Sequence, residues 1–471
     1  YIKKKKEVFK MSVVGTFIVP HPPIILPEVG RGEEKKIEKT ARAYRDVAKG
    51  IAALKPDTIV IISPHSALYA DYFHISPGSG AEGDLRAFGV GGVLVKAFYD
   101  EVLAKAIGIQ AEEDGIPAGT LGEKDPGLDH GTLIPLWFLA PFKLSSEVVR
   151  IGLSGLPMID HYRLGESIAK AADKLDRRIV MVASGDLSHK LKEDGPYGFA
   201  PEGPAFDADV TAAMKRADFL RFLTYEPGFC EKAAECGLGS FAIMAGTLDG
   251  MAVEPELLSY EGPFGVGYAV AAFRPLGKTT ERYFEKQYIK LEEDRLKALK
   301  SQEDEYVRLA RYALEAYVKT GVPVKLPKEL PGELTSRQAG VFVSLKKHGK
   351  LRGCIGTIAP VTGSVAEEIL RNAVSAGMSD PRFPQVKVSE LEALVYSVDV
   401  LSTPEAIGSA NALDSRRYGV IVTKGHKRGL LLPNLDGVDS VEQQIAIAKQ
   451  KAGIATDEAC ELQRFEVVRH S

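Results

Sequence analysis

Four short runs of β-branched and aliphatic residues, separated by longer polar and helix-patterned stretches, constrain the first half of this 471-residue chain more than any other feature. They are Ser12–Val19, Asp57–Ser63, Glu147–Leu153 and Arg178–Ala183, and a charged helical pattern from Glu33 to Leu54 lies between the first two. A fifth run, Gly265–Phe273, rich in Gly, Val and Ala, is expected to be the last strand, closed by Pro275. This alternation predicts an α/β domain over residues 11–275, with a central, mostly parallel sheet and helices on its faces. Thr279 to Leu299 is charged and free of Pro and Gly, which predicts a helical linker across residues 276–303. Residues 304–471 change texture. Val341–Lys346 and Leu351–Thr357 flank His348-Gly349-Lys350, and Tyr418–Thr423 and Lys427–Leu432 flank Lys424-Gly425. Paired hairpins of this kind, with helices around them, predict a smaller α+β domain.

Composition narrows the function classes. The formal net charge is -3, with 45% hydrophobic and 26% charged residues, so no face is forced to be strongly basic and no nucleic-acid partner is expected. No stretch approaches the ~20 apolar residues of a membrane span, and no membrane partner is expected. Four cysteines, Cys230, Cys236, Cys354 and Cys460, are too few for a disulfide scaffold and read as reduced thiols of a cytoplasmic protein. Met11 opens the first strand and is the expected initiator, with Tyr1–Lys10 an upstream read-through.

Three of the nine histidines follow strands directly: His21 after Val19-Pro20, His65 after Ser63-Pro64, and His189 closing Ser184-Gly185-Asp186-Leu187-Ser188. A lone histidine is ordinarily a surface or hydrogen-bonded structural residue. Three at strand termini are different, because open α/β sheets bind ligands outside the carboxyl ends of their strands. His130, in Leu128-Asp129-His130-Gly131, is a fourth candidate; its plain reading is a helix entry capped by Asp129. His74, His161, His348, His426 and His470 read as structural or surface groups. Two imidazoles and one carboxylate form the triad that holds ferrous iron. Glu231 and Glu235 offer acids four residues apart on a helical pattern, with Cys236 adjacent.

These elements, Pro-His21-Pro-Pro, Ser-Pro-His65, Leu-Asp-His130-Gly and Gly-Asp186-Leu-Ser-His189, come in the order seen in class III (LigB-like) extradiol ring-cleaving dioxygenases, which the segment from Met11 to Pro275 resembles. The resemblance implies that His21, His65 and Glu235 bind Fe(II), or another first-row metal, and that His130 and His189 serve as acid/base groups. It implies ring cleavage of a catechol-like substrate with O2. Cys236-Gly237, and Asp186 with His189, also resemble the Memo-family branch of the same fold, where a cysteine replaces the glutamate. That branch implies a metal protein working without ring cleavage, with a radical-SAM protein as partner. No Cys-x-x-x-Cys-x-x-Cys motif is present, so such a partner is expected in trans. Further copies of the chain are also expected as partners, in a homo-oligomer.

Leu351-Arg352-Gly353-Cys354-Ile355-Gly356, Ser379-Asp380-Pro381-Arg382-Phe383-Pro384, Gly429–Pro433 and Lys451-Ala452-Gly453 resemble the AMMECR family, over residues 304–466. That resemblance implies no particular chemistry. Strand alternation puts Arg352 and Cys354 on one face, where a guanidinium would favour thiolate; the alternative is a packed cysteine beside an arginine paired to an acid.

Overall fold

The computed structural model describes residues 11–124, 127–435 and 437–471; the expectation for Tyr1–Lys10 falls outside them. The chain divides into two compact units, one ending at Leu291 and the other running from Glu292 to Ser471. The division falls inside a helix, Phe284–Gln302.

The first unit contains strands β1 (Val13–Val19), β2 (Thr58–Ser63), β3 (Gly80–Leu85), β4 (Val90–Phe98), β5 (Glu147–Gly152), β6 (Ile179–Ser184), β7 (Met251–Glu261) and β8 (Tyr268–Lys278). Six of them form one sheet in the order β5-β2-β6-β1-β8-β7. The first four are mutually parallel, and β8 and β7 add an antiparallel pair at one edge. The predicted α/β class and mostly parallel sheet are thus observed. β3 and β4 form a separate hairpin.

Both faces of the sheet are covered, which is why its central strands are apolar throughout. Ile59, Ile61, Val180 and Val182 pack toward helices α1 (Glu38–Leu54) and α3 (His130–Leu139). Val60, Ile62, Met181 and Ala183 pack toward α2 (Glu101–Glu113), α4 (Met158–Lys174), α5 (Glu202–Arg216) and α7 (Leu238–Gly246). Between α5 and α7 runs a short helix, α6 (Pro227–Ala233). Pro275 does not close the last strand, which continues to Lys278. Beyond Phe273 that strand pairs with β7 alone, so proline's missing N–H falls on a free edge, where a strand tolerates it.

The second unit begins within α8 (Phe284–Gln302) and adds α9 (Glu305–Thr320), α10 (Val365–Met378) and α11 (Val441–Ala452). Its strands are β9 (Val341–Lys347), β10 (Lys350–Gly356), β11 (Leu394–Leu401), β12 (Glu405–Ile407), β13 (Gly419–Lys424), β14 (Lys427–Leu431), β15 (Glu461–Phe465) and β16 (Val467–His470). They form two antiparallel sheets, β10-β9-β11-β16 and β12-β15-β13-β14, in keeping with the predicted α+β class. Among the described residues no helix is long and apolar enough to cross a membrane.

Candidate metal centre

β2, β6 and β1 are neighbours in the parallel part of the sheet, so the loops leaving their carboxyl ends meet at one edge. Those loops carry His65, His189 and His21. The structure brings the first and last of these together, with Nε2 of His65 3.0 Å from Nε2 of His21. Sγ of Cys236 lies 3.6 Å from Nε2 of His21, and one ligand atom from each of the three residues falls within 4.8 Å of the others. Ligands at about 2.0–2.3 Å from one ion, at angles near 90–110°, stand roughly 3.0–3.5 Å apart. The three atoms therefore fit a shared metal. His21 and Cys236 lie inward, while His65 faces solvent and leaves one side open.

Glu235 does not join them. Its carboxylate accepts the backbone N–H of Leu238 at 2.7 Å and so caps the first turn of α7. The reason lies at the end of α6. That helix stops at Ala233, and Ala234 adopts a left-handed conformation at φ 52°, so Glu231 and Glu235 do not share a helical face. The chain reverses there and delivers the next residue, Cys236, to the histidines. Gly185 permits the approach, since a Cβ at that position would lie 2.2 Å from Cα of Gly237.

The surrounding hydrogen bonds orient each group. Nδ1 of His21 contacts Oγ of Ser184 at 2.9 Å, which turns Nε2 toward the site. Asp186 accepts the His21 backbone N–H at 2.8 Å, and its own N–H donates to Cys236 Sγ at 3.3 Å. Asp186 thus ties two candidate ligands together rather than facing a substrate. Ser63 links the other two loops: its hydroxyl accepts the His65 N–H and donates to Asp129. Asp129 caps α3 by accepting from Thr132 N at 3.0 Å, as the helix-entry reading expects, and His130 opens that helix. Gly131 is required beside it, because a Cβ there would stand 2.4 Å from Ser63 Oγ.

His130 and His189 stand just outside the three-atom group. The His130 ring lies 4.0 Å from that of His65 and 5.2 Å from that of His21, centroid to centroid. Nδ1 of His189 meets the Ala234 carbonyl, so it carries the proton and leaves the Nε2 lone pair free. All four imidazoles are held neutral. Burial lowers His21 well below its ordinary range, with His65 and His130 adding to the effect. Burial also lowers His65, and it brings His130 to about 4 with His65 contributing. His189 is lowered by burial against the opposing pull of the Ala234 carbonyl. Neutral rings are what metal ligation and proton abstraction both need.

Two aromatic side chains lie beyond what the sequence patterns reveal. Phe88, at the tip of the β3–β4 hairpin, packs edge-on against His130 at 5.5 Å, and Tyr197 does the same to His189 at 5.1 Å. Both sit on loops with no periodic signal.

In the second unit Arg352 sits on β10 with Cys354, and an acid from another segment meets it. Its guanidinium is taken by Glu390 through two contacts of 3.0 Å, the paired-to-an-acid alternative. Strand alternation cannot reveal an acid 38 residues away.

Residues 15–271 match the family described as the catalytic LigB subunit of aromatic ring-opening dioxygenase, and residues 307–470 match AMMECR1. A protein of Clostridium acetobutylicum is 41% identical over 469 residues, covering 98% of this chain and 99% of its own. A Thermotoga maritima protein is 48% identical over 170 residues, covering 36% of this chain and 98% of its own. Among solved structures, an uncharacterized Pyrococcus horikoshii protein covers 35% of this chain and 88% of its own at 36% identity and a TM-score of 0.33. An uncharacterized Escherichia coli K12 protein covers 55% and 99% respectively, at 17% identity and a TM-score of 0.41.

Proposed function

The chain belongs to the family of the catalytic LigB subunit of aromatic ring-opening dioxygenase, with an AMMECR1 domain behind it, and from this premise we propose that it is a metal-dependent enzyme whose metal is held by His21, His65 and the Cys236 thiolate. The observation that carries the reading is Cys236 Sγ at 3.6 Å from His21 Nε2, with the Glu235 carboxylate committed to α7. Two imidazoles and a carboxylate suit Fe(II) and O2 chemistry; a thiolate in the third position is a softer ligand that suits copper or zinc as well as iron. The proposed activity is accordingly that of the Memo-like branch: modification of a small molecule without ring opening, with a radical-SAM protein as the partner supplied in trans.

A bound first-row metal would polarise a chelating oxygen and lower its pKa. The remaining chemistry belongs to the side chains. Nε2 of His189, unprotonated because Nδ1 faces a carbonyl, takes a proton from a substrate hydroxyl. His130, on the opposite flank beside the His65 ring, is the group that would hydrogen-bond a bound substrate there. Phe88 and Tyr197 keep water from the outer edges of those two rings.

A second reading keeps the Fe(II) extradiol cleavage of a catechol-like substrate. What favours it is the pair of neutral histidines flanking the open side, which a chelating diol would use for its proton transfers. One experiment separates the two readings: anaerobic loading with Fe(II), Cu(I) or Zn(II), metal analysis, then O2 uptake with a panel of catechols. The leading reading expects about one metal per chain, lost in Cys236→Ser, and no O2 uptake with any catechol. Stoichiometric O2 consumption with a ring-opened product would replace it with the second.

A further inference from the structure

Arg150 stands in the middle of β5, where strand alternation sets it on the same face as Val148, the face that packs toward α3. Its neighbours Val149 and Ile151 belong to the core on the other side. Arg150 is 5% exposed, in a strand whose other buried residues are apolar or glycine. A guanidinium in such a place loses its hydration and is tolerated only where polar partners replace it.

The partners come from segments outside the sheet. Nε donates to Oγ of Ser76 at 2.6 Å, and Nη1 donates to the Gly127 carbonyl at 2.5 Å. Nη1 also lies 3.8 Å from Oδ2 of Asp129. Two of these contacts fall on Gly127-Leu128-Asp129, the stretch that leads into α3, and the Leu128 N–H ties that stretch to Glu82 of β3 at 3.0 Å. From Asp129 the contacts run on toward the site. Its carboxylate accepts from Thr132 N and from the Ser63 hydroxyl, and Ser63 Oγ accepts the His65 N–H at 3.2 Å. His130 follows Asp129 directly in the chain. One buried cation therefore stands behind both the His65 loop and the entry of the helix that begins with His130. Arginine suits this place because its planar fork reaches two segments at once while its charge offsets a carboxylate held away from water.

We propose that Arg150 is a positioning residue of the metal centre: through Asp129 and Ser63 it sets the His65 loop, and through Gly127 and Asp129 it sets the start of α3 and with it His130. Its effect on metal affinity rests on the reading of His65 as a ligand given above. Its hold on the two loops does not, and is measured without metal.

The test uses the full chain and Arg150→Met, which keeps the length of the side chain and removes its charge and fork. Hydrogen exchange is followed by mass spectrometry on the metal-free protein. Peptides covering residues 63–67 and 127–133 should exchange roughly tenfold faster than in the parent, while a peptide from β8 should be unchanged. Co(II) affinity, measured against a chelator, should fall about tenfold, the lower end of what losing a group behind a ligand costs, and the ligand-field bands of bound Co(II) should shift. Arg150→Lys keeps a cation beside Asp129 and should recover part of the affinity. In Ser63→Ala the link to His65 is already cut, so adding Arg150→Met should lower the affinity no further. Exchange unchanged in both peptides, or raised equally in β8, overturns the proposal. So does an affinity loss of the same size with and without the Ser63 hydroxyl, or an Arg150→Lys variant no better than Arg150→Met. A parent chain that binds no Co(II) would instead refute the metal-centre reading, with the exchange rates still deciding the role of Arg150.

Discussion

Replacing Cys236 by Ser removes what is, among the described residues, the only sulfur in the group formed with the two histidines. Metal affinity should then fall by more than the 10–100-fold that losing an outer-shell partner costs, as read by competition with a chromogenic chelator. Glu235→Gln makes the contrast, because the amide oxygen can still accept the Leu238 N–H and the metal affinity should be unchanged. Equal losses in the two variants would contradict the assignment of Cys236. His189→Ala should retain the metal and slow turnover by about 10²–10⁴-fold, the range for a lost general base. Loss of metal in that variant would move His189 into the coordination sphere. Which of Glu235 and Cys236 faces the site was not legible in the sequence, for a local reason. The reversal after α6 is made by Ala234 in a left-handed conformation that alanine seldom adopts, so nothing marked the helix end. His21 and His65 were legible because each follows an apolar strand within two residues, and a strand end has one place to go.

At the scale of elements, the site depends on two loops touching backbone to backbone. Gly185→Ala inserts a methyl against Gly237, which must push the Cys236 segment away from His21. Metal affinity should fall about as far as in Cys236→Ser, with a stability loss of about 1–3 kcal/mol from overpacking. Unchanged affinity at Gly185→Ala would mean that the two loops are free to part.

A second element-scale device holds the His189 loop. Asp207 of α5, 1% exposed, accepts the Ser188 N–H and the Tyr260 hydroxyl, both at 2.8 Å. Burial raises its pKa from 3.8 to about 7, against the opposing effect of those two bonds. The folded state therefore prefers the protonated acid, and the stability this gives is full below about pH 4 and lost as pH rises through 7. Asp207→Asn has no charge to bury. It should be more stable than the parent at pH 8, by at most about 4 kcal/mol, and lose that advantage near pH 4. A constant difference between the two pH values would show that Asp207 is ionised in the fold throughout. The central strands were readable as apolar runs, whereas the β3–β4 hairpin that carries Phe88 was not, because its Val90-Gly91-Gly92-Val93 segment has neither an apolar run nor a clean alternation and leaves both glycines exposed.

In the molecule as a whole, every candidate metal ligand lies in the first unit, and so does Trp137, the single tryptophan. Metal binding should therefore appear directly in melting followed by tryptophan emission. Metal at 100 times its dissociation constant adds about 2.7 kcal/mol, which should raise that transition by about 5–10 °C. No shift at saturating metal would mean that the folded unit does not bind it.

The most direct measurement of the central claim is X-ray absorption on the metal-loaded protein, compared with the Cys236→Ser variant. The account predicts one sulfur at about 2.3 Å and two imidazole nitrogens at about 2.0–2.1 Å, with the sulfur shell absent from the variant. A coordination sphere of nitrogen and oxygen only, identical in the two proteins, would contradict it.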